Sequence, residues 1–440
     1  MQSYQNYKNS EVEWIGKIPS HWKVVRINKL STVKRGASPR PIDDLKYFSD
    51  NGEYSWVRIE DVTVSNKFLK KTTQRLSSLG KSLSVPLEPG EIFISIAGSV
   101  GKPIISQIKC CIHDGFVYFE RLKISPDYLY WIFIGSEPYR GLGKLGTQLN
   151  LNTETIGNIK IPLPPPDEQT SITKYLDVIS SRFDKIILEE KRLIELLIEK
   201  RAALINQAVT RGLDPEVKLR DSGIEWINQI PESWELKRLK FLVDKIGSGI
   251  TPKGGSLIYQ TYGIPLIRSQ NVHFNGLRLD DVAYISEEIF KTMLNTATKK
   301  HDVLLNITGA SIGRCTFIED EFEKGNVNQH VCIIRLLHKK LFYKYLNYFL
   351  MSSLGQDQIL SVEMGTSREG LTFEQIGNLR LPLPSLTEQI QIAKYLENET
   401  SKIDSVIERI QHRIMLLEEY KKSLINSVVT GKIDVRHQID

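Results

Sequence analysis

The glycine-rich run GLGKLG at residues 141–146 comes nearest, in this sequence, to a cofactor-binding loop. Its G-x-G-x-x-G spacing is that of loops that hold the phosphates of a dinucleotide. Such a loop follows a strand and opens a helix. Here the polar segment TQLNLNTETIG follows the run. The spacing therefore does not predict a cofactor site.

Other patterns that could support chemistry are also incomplete. The proline run PLPPPD (162–167) lacks the Asn or Asp before the prolines, and the aromatic residue after them, that an amino-methyltransferase requires. Glu216 and Lys218 have the E-x-K spacing of a nuclease but fall in a linker. His113-Asp114 and the other histidines show no ligand or triad spacing, and the four cysteines match neither a disulfide framework nor a zinc site. We predict a chain without enzymatic activity, metal or cofactor of its own.

Length and composition indicate what kind of protein must position any functional side chain. A chain of 440 residues exceeds one ordinary core, so two or more domains are expected. It is 41% hydrophobic and 25% charged, and no apolar run approaches the roughly 18 residues of a membrane span. The N-terminal segment lacks the apolar stretch of a secretory signal. We expect a cytoplasmic protein.

An internal repeat organises the chain. The well-matched pairs are WIGKIPSHWKVVRINKL (14–30) with WINQIPESWELKRLKFL (226–242), GNIKIPLPPPDEQTSITKYL (157–176) with GNLRLPLPSLTEQIQIAKYL (377–396), and LINQAVT (204–210) with LINSVVT (424–430). Weaker likeness pairs VRIEDV (57–62) with IRSQNV (267–272), and GSVGK (98–102) with GASIGR (309–314). Each copy therefore combines a variable domain with a well-matched segment.

The matched segments predict two long helices. Each begins after a proline hinge, at 162–166 or 382–385, because proline cannot continue a helix. Neither following stretch contains Gly or Pro, so each can run for roughly 40 residues, about 60 Å at 1.5 Å per residue. Apolar residues recur in the heptad frame of a coiled coil. The predicted seams are Ile172, Leu176, Ile179, Phe183, Ile186, Leu193, Leu197 and Leu204, and Ile392, Leu396, Ile403, Val406, Ile410, Leu417, Tyr420 and Leu424.

The predicted fold class is α+β. The variable domains are mixed α/β, because β-branched runs such as EIFISIAG (91–98) and HVCIIRLL (330–337) are bounded by Gly, Pro and Asn. The first helix leads through residues 212–226 into domain two, and the second must run back, which predicts an antiparallel pair and a pseudo-twofold dumbbell. The predicted boundaries are 1–160 for recognition domain one, 161–212 for the first hinge and helix, 213–380 for recognition domain two, and 381–440 for the second hinge and helix.

The distribution of charge bears on the partner. The net charge is +6, and the two helical segments are nearly balanced, so the positive excess lies in the variable domains and their flanks. There it could meet phosphates. Two similar domains related by approximate twofold symmetry suit DNA, whose backbone has a twofold relation of its own. Because the domains differ in sequence, the target should be bipartite and asymmetric.

This organisation resembles the specificity subunits of type I restriction-modification systems over nearly the whole chain. The resemblance rests on motifs that occur twice in the same order. These are W-I-x-x-I-P-x-x-W (14–22, 226–234), the Gly-Thr segments GTQLN (146–150) and GTSRE (365–369), and the I/L-P-L-P…EQ…I hinge (161–172, 381–392). The family implies two target recognition domains, each reading one half of a split double-stranded DNA site, in a subunit without catalytic activity.

The resemblance also implies partners. The helices would act as a ruler and as the docking surface for two methyltransferase (modification) subunits, which bind S-adenosylmethionine and methylate adenine. Motor and nuclease (restriction) subunits, which use ATP and Mg²⁺, would complete the complex. Two alternatives fit parts of the pattern: the same module in another bipartite restriction-modification enzyme, which neighbouring genes would reveal, or a coiled-coil scaffold that binds proteins, which a gel shift would separate from a DNA-binding subunit.

Candidate DNA contacts lie on loop-like segments rich in Gly and Pro. Base edges are best read by Arg, Lys, Asn and Gln, whereas Ser, Thr and backbone amides position phosphates. Arg58 and Arg268 stand out because both copies place an arginine there. The predicted DNA-binding residues are Arg35, Arg40, Arg58, Ser99, Lys102, Lys144 and Gln148 in domain one, and Lys253, Arg268, Gln270, Asn271, Ser311, Arg314, Asn328, Gln329 and Arg368 in domain two.

Lengthening both helices tests their predicted role as a ruler. Four residues inserted after Leu193 and after Arg413 add about 6 Å at 1.5 Å per residue, and DNA rises about 3.4 Å per base pair. The preferred spacer should lengthen by at most about two base pairs, with some loss of affinity because the DNA also turns by about 70°. Both half-site sequences should persist. Selection from a randomised DNA pool checks this, and an unchanged spacer or altered half-sites would contradict it.

Overall fold

A computed structural model describes residues 2–140, 142, 151–224, 227–363 and 370–438. The chain divides into two compact units, one formed by Met1–Glu190 with Gln411–Asp440 and the other by Lys191–Ile410. Each unit combines most of one predicted variable domain with parts of both long helices, so the four predicted boundaries stay a prediction. None of the described helices is long and apolar enough to cross a membrane.

The first unit is mixed α/β. Its strands are β1 (Tyr7–Asn9), β2 (Lys17–Pro19), β3 (Lys23–Arg26), β4 (Thr32–Arg35), β5 (Ser55–Val57), β6 (Phe68–Leu69), β7 (Gln74–Arg75), β8 (Val85–Leu87), β9 (Ile92–Ser95), β10 (Pro103–Ser106), β11 (Cys110–Ile112), β12 (Phe116–Glu120) and β13 (Lys160–Leu163). Its helices are α1 (Ile27–Leu30), α2 (Ile59–Val64), α3 (Ser78–Ser82), α4 (Pro126–Ile134), α5 (Thr153–Asn158) and the start of α6 (Pro166–Arg211). Two sheets have the strand orders β4-β12-β9-β10-β6 and β7-β5-β11-β8.

The second unit repeats this plan with shorter sheets. Its strands are β14 (Leu219–Asp221), β15 (Gln229–Pro231), β16 (Glu235–Arg238), β17 (Val243–Ser248), β18 (Ile264–Ile267), β19 (Val272–His273), β20 (Gly276–Leu277), β21 (Ala283–Ile285), β22 (Val303–Asn306), β23 (Cys315–Phe317), β24 (Asn326–Val327), β25 (Val331–Leu336) and β26 (Arg380–Leu383). Its helices are α7 (Glu287–Thr292), α8 (Tyr343–Met351), α9 (Ser353–Glu363), α10 (Phe373–Gly377) and the start of α11 (Leu386–Val429). The larger sheets have the orders β17-β25-β22-β23 and β21-β18-β24.

The α+β prediction is confirmed in both units. EIFISIAG contains β9 and HVCIIRLL contains β25, each bounded by turns as predicted. The first residues of each proline hinge form a strand, because Pro162 of β13 pairs with Val24 and Pro382 of β26 pairs with Leu236. Such short two-stranded sheets tolerate proline, which cannot donate a ladder hydrogen bond. The helices that follow are 46 and 44 residues long, slightly longer than predicted.

The long helices run antiparallel inside each unit. In the first unit Lys421 Nζ lies 2.5 Å from Asp184 Oδ1, and Arg413 Nη2 lies 2.6 Å from Glu190 Oε2. Residue numbers therefore rise along α6 in the direction in which they fall along α11. In the second unit Arg201 Nε lies 3.0 Å from Asp404 Oδ1. Asp184 and Asp404, like Arg201 and Lys421, are 220 positions apart. The repeat therefore places the same ion pair in both units.

The predicted seam was wrong at three positions. Ile186, Leu193 and Tyr420 are 42%, 41% and 51% exposed. The residue after Ile186 is buried instead, because Ile187 is only 8% exposed. The side chain of Ile194 is likewise less exposed to solvent than that of Leu193. Where two apolar residues are neighbours in the sequence, either one can be assigned to the heptad seam. The frame whose side chains are less exposed in the structure is the one that continues along the helix without a break. It runs through positions 169, 173, 176, 180, 183, 187, 190, 194, 197, 201, 204 and 208, and through the positions 220 residues later.

Adjacent isoleucines provide a matched test of this frame. Ile187→Ala should lower the free energy of unfolding by about 2 kcal/mol or more, because it leaves a cavity in the seam. Ile186→Ala should change it by less than about 1 kcal/mol, because that side chain is largely exposed. Urea unfolding followed by circular dichroism measures both. A larger loss for the Ile186 variant would restore the frame predicted from sequence.

Candidate nucleic-acid interface

The first unit gathers its candidate residues beyond the ends of two parallel strands. In the pairing of β11 with β5, Ile112 lies opposite Val57. Arg58 follows β5 and His113 follows β11, so both side chains leave the same edge of the sheet. The loop after β9 joins this edge, because Ile96 N donates to Gly115 O at 2.8 Å. Residues from three separate parts of the sequence therefore meet at one place.

Arg58 is held by its neighbours on both sides. Its backbone N donates to Asp61 Oδ2 at 2.8 Å, which caps the first turn of α2. Its Nε donates to Gln74 Oε1 at 2.6 Å, and its Nη groups make no hydrogen bond to the described residues. A guanidinium fixed through Nε presents its remaining donors in a defined direction, as bidentate recognition of a base edge requires.

Asp114 organises the basic side chains of the first unit. Ser38 Oγ donates to Asp114 Oδ1 at 2.8 Å, Arg40 Nη2 donates to Oδ2 at 2.9 Å, and Arg35 Nε donates to its backbone oxygen. The bond from Ser38 and the charge of Arg40 lower the pKa of Asp114, so it is ionised at neutral pH. Arg35 and Arg40 remain exposed to solvent. Their position on this edge fits contact with a polyanion.

Ser99 and Lys102 line the same edge from the loop between β9 and β10. Ser99 Oγ lies 2.8 Å from Thr63 Oγ1, and Lys102 Nζ donates to Thr63 O at 2.9 Å. Burial lowers the pKa of Lys102. Both side chains therefore attach the loop to α2 in the structure, and their contact with DNA stays a prediction.

The second unit repeats the arrangement with other side chains. Ile267 of β18 pairs in parallel with Val327 of β24, and Arg268 and Asn328 follow these strands. Arg268 N donates to Asn271 Oδ1 at 3.0 Å, as Arg58 N does to Asp61. Arg268 Nη2 donates to Asp281 O at 2.9 Å, while its buried Nε has no partner among the described residues.

Two predicted contacts are buried inside the second unit. Asn271 is 0% exposed and donates to Arg278 O and Asp281 Oδ1 at 2.9 and 3.1 Å. Asn328 is 7% exposed and accepts from His330 N at 3.1 Å. These amides order the loops around Arg268. A direct contact of either amide with DNA stays a prediction, and burial gives both an internal role.

The remaining candidates differ in their hydrogen bonds within the protein and in their exposure to solvent. Gln270 Nε2 donates to Asp281 Oδ2 at 2.5 Å, and Ser311 Oγ accepts from Asn306 Nδ2 at 3.1 Å. Lys253 and Gln329 are exposed, and Arg314 is partly exposed. Lys144, Gln148 and Arg368, together with both Gly-Thr segments, lie outside the described residues.

Sequence reasoning missed the histidine at this edge. His113 Nδ1 accepts from Gly115 N at 2.8 Å, so the proton of the neutral ring is on Nε2. Burial lowers the pKa of His113, which keeps the ring neutral at pH 7. The search for metal-ligand and triad spacings passed over it, because only the parallel pairing of β11 with β5 brings it beside Arg58.

In the part of the chain that the structure describes, neither a metal-binding group nor an exposed thiol is present. No group of three or more His, Cys, Asp or Glu among the described residues could hold a metal ion. All four cysteines are buried, and burial raises the pKa of Cys110, Cys111 and Cys332 to about 12. These thiols are therefore protonated at neutral pH and are poor nucleophiles. What the edge offers is a set of fixed donors and positive charge.

Comparison with known proteins identifies a family for the chain. A family model described as the type I restriction modification DNA specificity domain matches residues 19–197 and 231–414. The MjaVIII type I specificity subunit of Methanocaldococcus jannaschii is 26% identical over 446 residues, covering 99% of this chain and 98% of that protein. The EcoKI type I specificity subunit of Escherichia coli is 20% identical over 441 residues, covering 95% and 90%.

Solved structures show the same fold. A chain from a study of complex assembly and conformational transition of the type I R-M system has a TM-score of 0.71 at 14% identity, covering 94% of this chain and 99% of that one. The HsdS subunit from Thermoanaerobacter tengcongensis has a TM-score of 0.50 at 15% identity, covering 94% and 98%.

Proposed function

This chain belongs to the type I restriction modification DNA specificity family, and we propose that it selects a bipartite, asymmetric DNA site for a type I complex. The observation that carries the proposal is the repeated edge. Arg58 and Arg268 follow equivalent strands in two units and are capped in the same way. An equivalent backbone with different neighbouring side chains is what two half-sites of different sequence require.

The neighbours of the two arginines differ in hydrogen-bonding character. The exposed Glu60 of the first unit is replaced by the exposed Gln270 in the second, so an acceptor gives way to an amide that can also donate. His113 is replaced by Asn328 at the end of the parallel strand. The half-sites should therefore differ in base sequence even though one scaffold presents both surfaces.

Exposed leucines support two equivalent partner sites. Leu196 of α6 is 46% exposed and Leu416 of α11 is 48% exposed, and they are 220 positions apart. The support lies in the repetition of an exposed leucine at the equivalent position of both helices, and not in the exposure of either leucine alone. We assign these positions to two modification subunits, which would supply S-adenosylmethionine and adenine methylation. Restriction subunits that use ATP and Mg²⁺ would join them, in the cytoplasm where the DNA lies.

The isolated chain should show no methyltransferase, nuclease or ATPase activity. The sequence lacks the Asn or Asp before its proline run, and the aromatic residue after it, that an amino-methyltransferase requires, and the E-x-K spacing of Glu216 and Lys218 falls in a linker. Transfer of a labelled methyl group to DNA measures the first activity. The complex with modification subunits is the positive control, and transfer by the highly purified chain alone would contradict the assignment.

Substitution of the paired arginines tests the two half-sites. Arg58→Ala and Arg268→Ala should each cost about 1 to 3 kcal/mol in DNA binding, because a base-reading arginine is lost. Each should relax recognition of a different half-site and leave the other as an internal control. Arg58→Lys and Arg268→Lys keep the charge but lose the guanidinium fork. Selection from a randomised pool reads out all four. The base-reading role of the two arginines would be contradicted if a variant altered both half-sites equally or altered neither of them. It would also be contradicted if the lysine variants recovered full recognition.

A further inference from the structure

Beside Arg58 the first unit contains a cleft of about 310 Å³. Its lining residues are Ile42, Trp56, Arg58, Ile59, Glu60 and His113. Three of the six side chains, those of Ile42, Trp56 and Ile59, are hydrophobic, and the surrounding edge is rich in arginine. An apolar hollow within a basic, polar edge requires a ligand that carries both an apolar group and hydrogen-bonding atoms.

The polar groups of the cleft are mainly donors. His113 carries its proton on Nε2, because Nδ1 accepts from Gly115 N at 2.8 Å. The Nη groups of Arg58 make no hydrogen bond to the described residues, since only its Nε is bonded, to Gln74. Trp56 is 0% exposed and its ring centroid lies 5.8 Å from that of His113, so its ring backs the cleft and its unpaired Nε1 is closed off from the surface. Glu60 is the one carboxylate among the lining side chains and is exposed to solvent. A group that binds beside Arg58 and His113 accepts hydrogen bonds from them.

Only one base presents this combination in the major groove. Thymine carries a C5-methyl group next to the O4 acceptor, whereas adenine and cytosine present amino donors and guanine presents acceptors without a methyl group. We propose that the cleft of the first unit recognises the methyl edge of a thymine, with Ile42 and Ile59 contacting the methyl group. Arg35 and Arg40 on the same edge supply the positive charge that a DNA backbone requires.

The second unit has different chemistry at the equivalent positions. Trp56, Ile59 and His113 are replaced by Leu266, Ser269 and Asn328. Leucine keeps the apolar character of the tryptophan position, but the isoleucine beside the arginine and the histidine donor are both replaced by polar side chains in the second unit. Methyl recognition of this kind should be confined to the half-site read by the first unit, the one whose preference changes in Arg58→Ala.

Deoxyuridine scanning tests the cleft without altering the protein. The inference rests on the proposed function, so the chain is assayed with its modification subunits on its selected site. Each thymine is replaced in turn by deoxyuridine, which removes only the methyl group. One replacement in the half-site of the first unit should weaken binding about fourfold, the effect of losing one buried methyl group. Absence of sequence-specific binding would overturn the proposed function. Specific binding in which no such replacement matters would overturn the cleft alone.

Protein variants identify the residues that contact the methyl group. Ile59→Ala and Ile42→Ala should reduce the ratio of thymine to deoxyuridine affinity towards one, while recognition of the other half-site shows that the variants are folded. Leu79→Ala is the matched control, because Leu79 is 49% exposed on α3 and does not line the cleft. Retention of the full ratio in both isoleucine variants, or its loss in the control, would overturn the assignment.

Discussion

The structure depends on a buried, hydrogen-bonded carboxylate in the first turn of a long helix. Glu168 is 4% exposed and accepts from Trp22 Nε1 and Tyr4 OH at 3.0 and 2.9 Å. A carboxylate is stable in such a place only when donors surround it. The tryptophan of the repeated N-terminal motif and the glutamate of the hinge motif therefore hold each other. In the second unit Trp234 Nε1 donates to Glu388 at 3.1 Å, so each recognition domain is attached to the helix that leaves it.

A second constraint attaches the end of the other long helix to each unit. Tyr128 OH lies 3.0 Å from Pro162 O and 3.3 Å from Val429 O, and a single hydroxyl proton is shared between them. Tyr345 OH lies 2.7 Å from Pro382 O and 3.4 Å from Val209 O. Each unit is thus closed by one helix that begins in it and one that ends in it. The recognition loops can then vary in sequence without disturbing the frame.

The heptad seam shows where sequence reasoning reaches its limit. Absence of Gly and Pro was sufficient to predict two unbroken helices, and their connectivity predicted an antiparallel pair. The choice between Ile186 and Ile187 could not be made in this way, because both residues are apolar and consecutive positions differ by only 100° around a helix. The continuous seam also includes Thr173, Arg201 and Lys421. A search for apolar residues alone leaves these three positions out.

The sequence by itself determined the repeat, the helices, the α+β class and the family resemblance, because these follow from periodicity and from motifs that occur twice. It also placed Arg58 and Arg268 correctly in equivalent positions. Only the tertiary structure decided which candidates remain available to a ligand. Asn271 is buried and satisfied internally, and His113 becomes part of a cleft with Trp56. The physical reason is that burial and hydrogen-bond partners depend on strand pairing between distant segments, which local sequence does not encode.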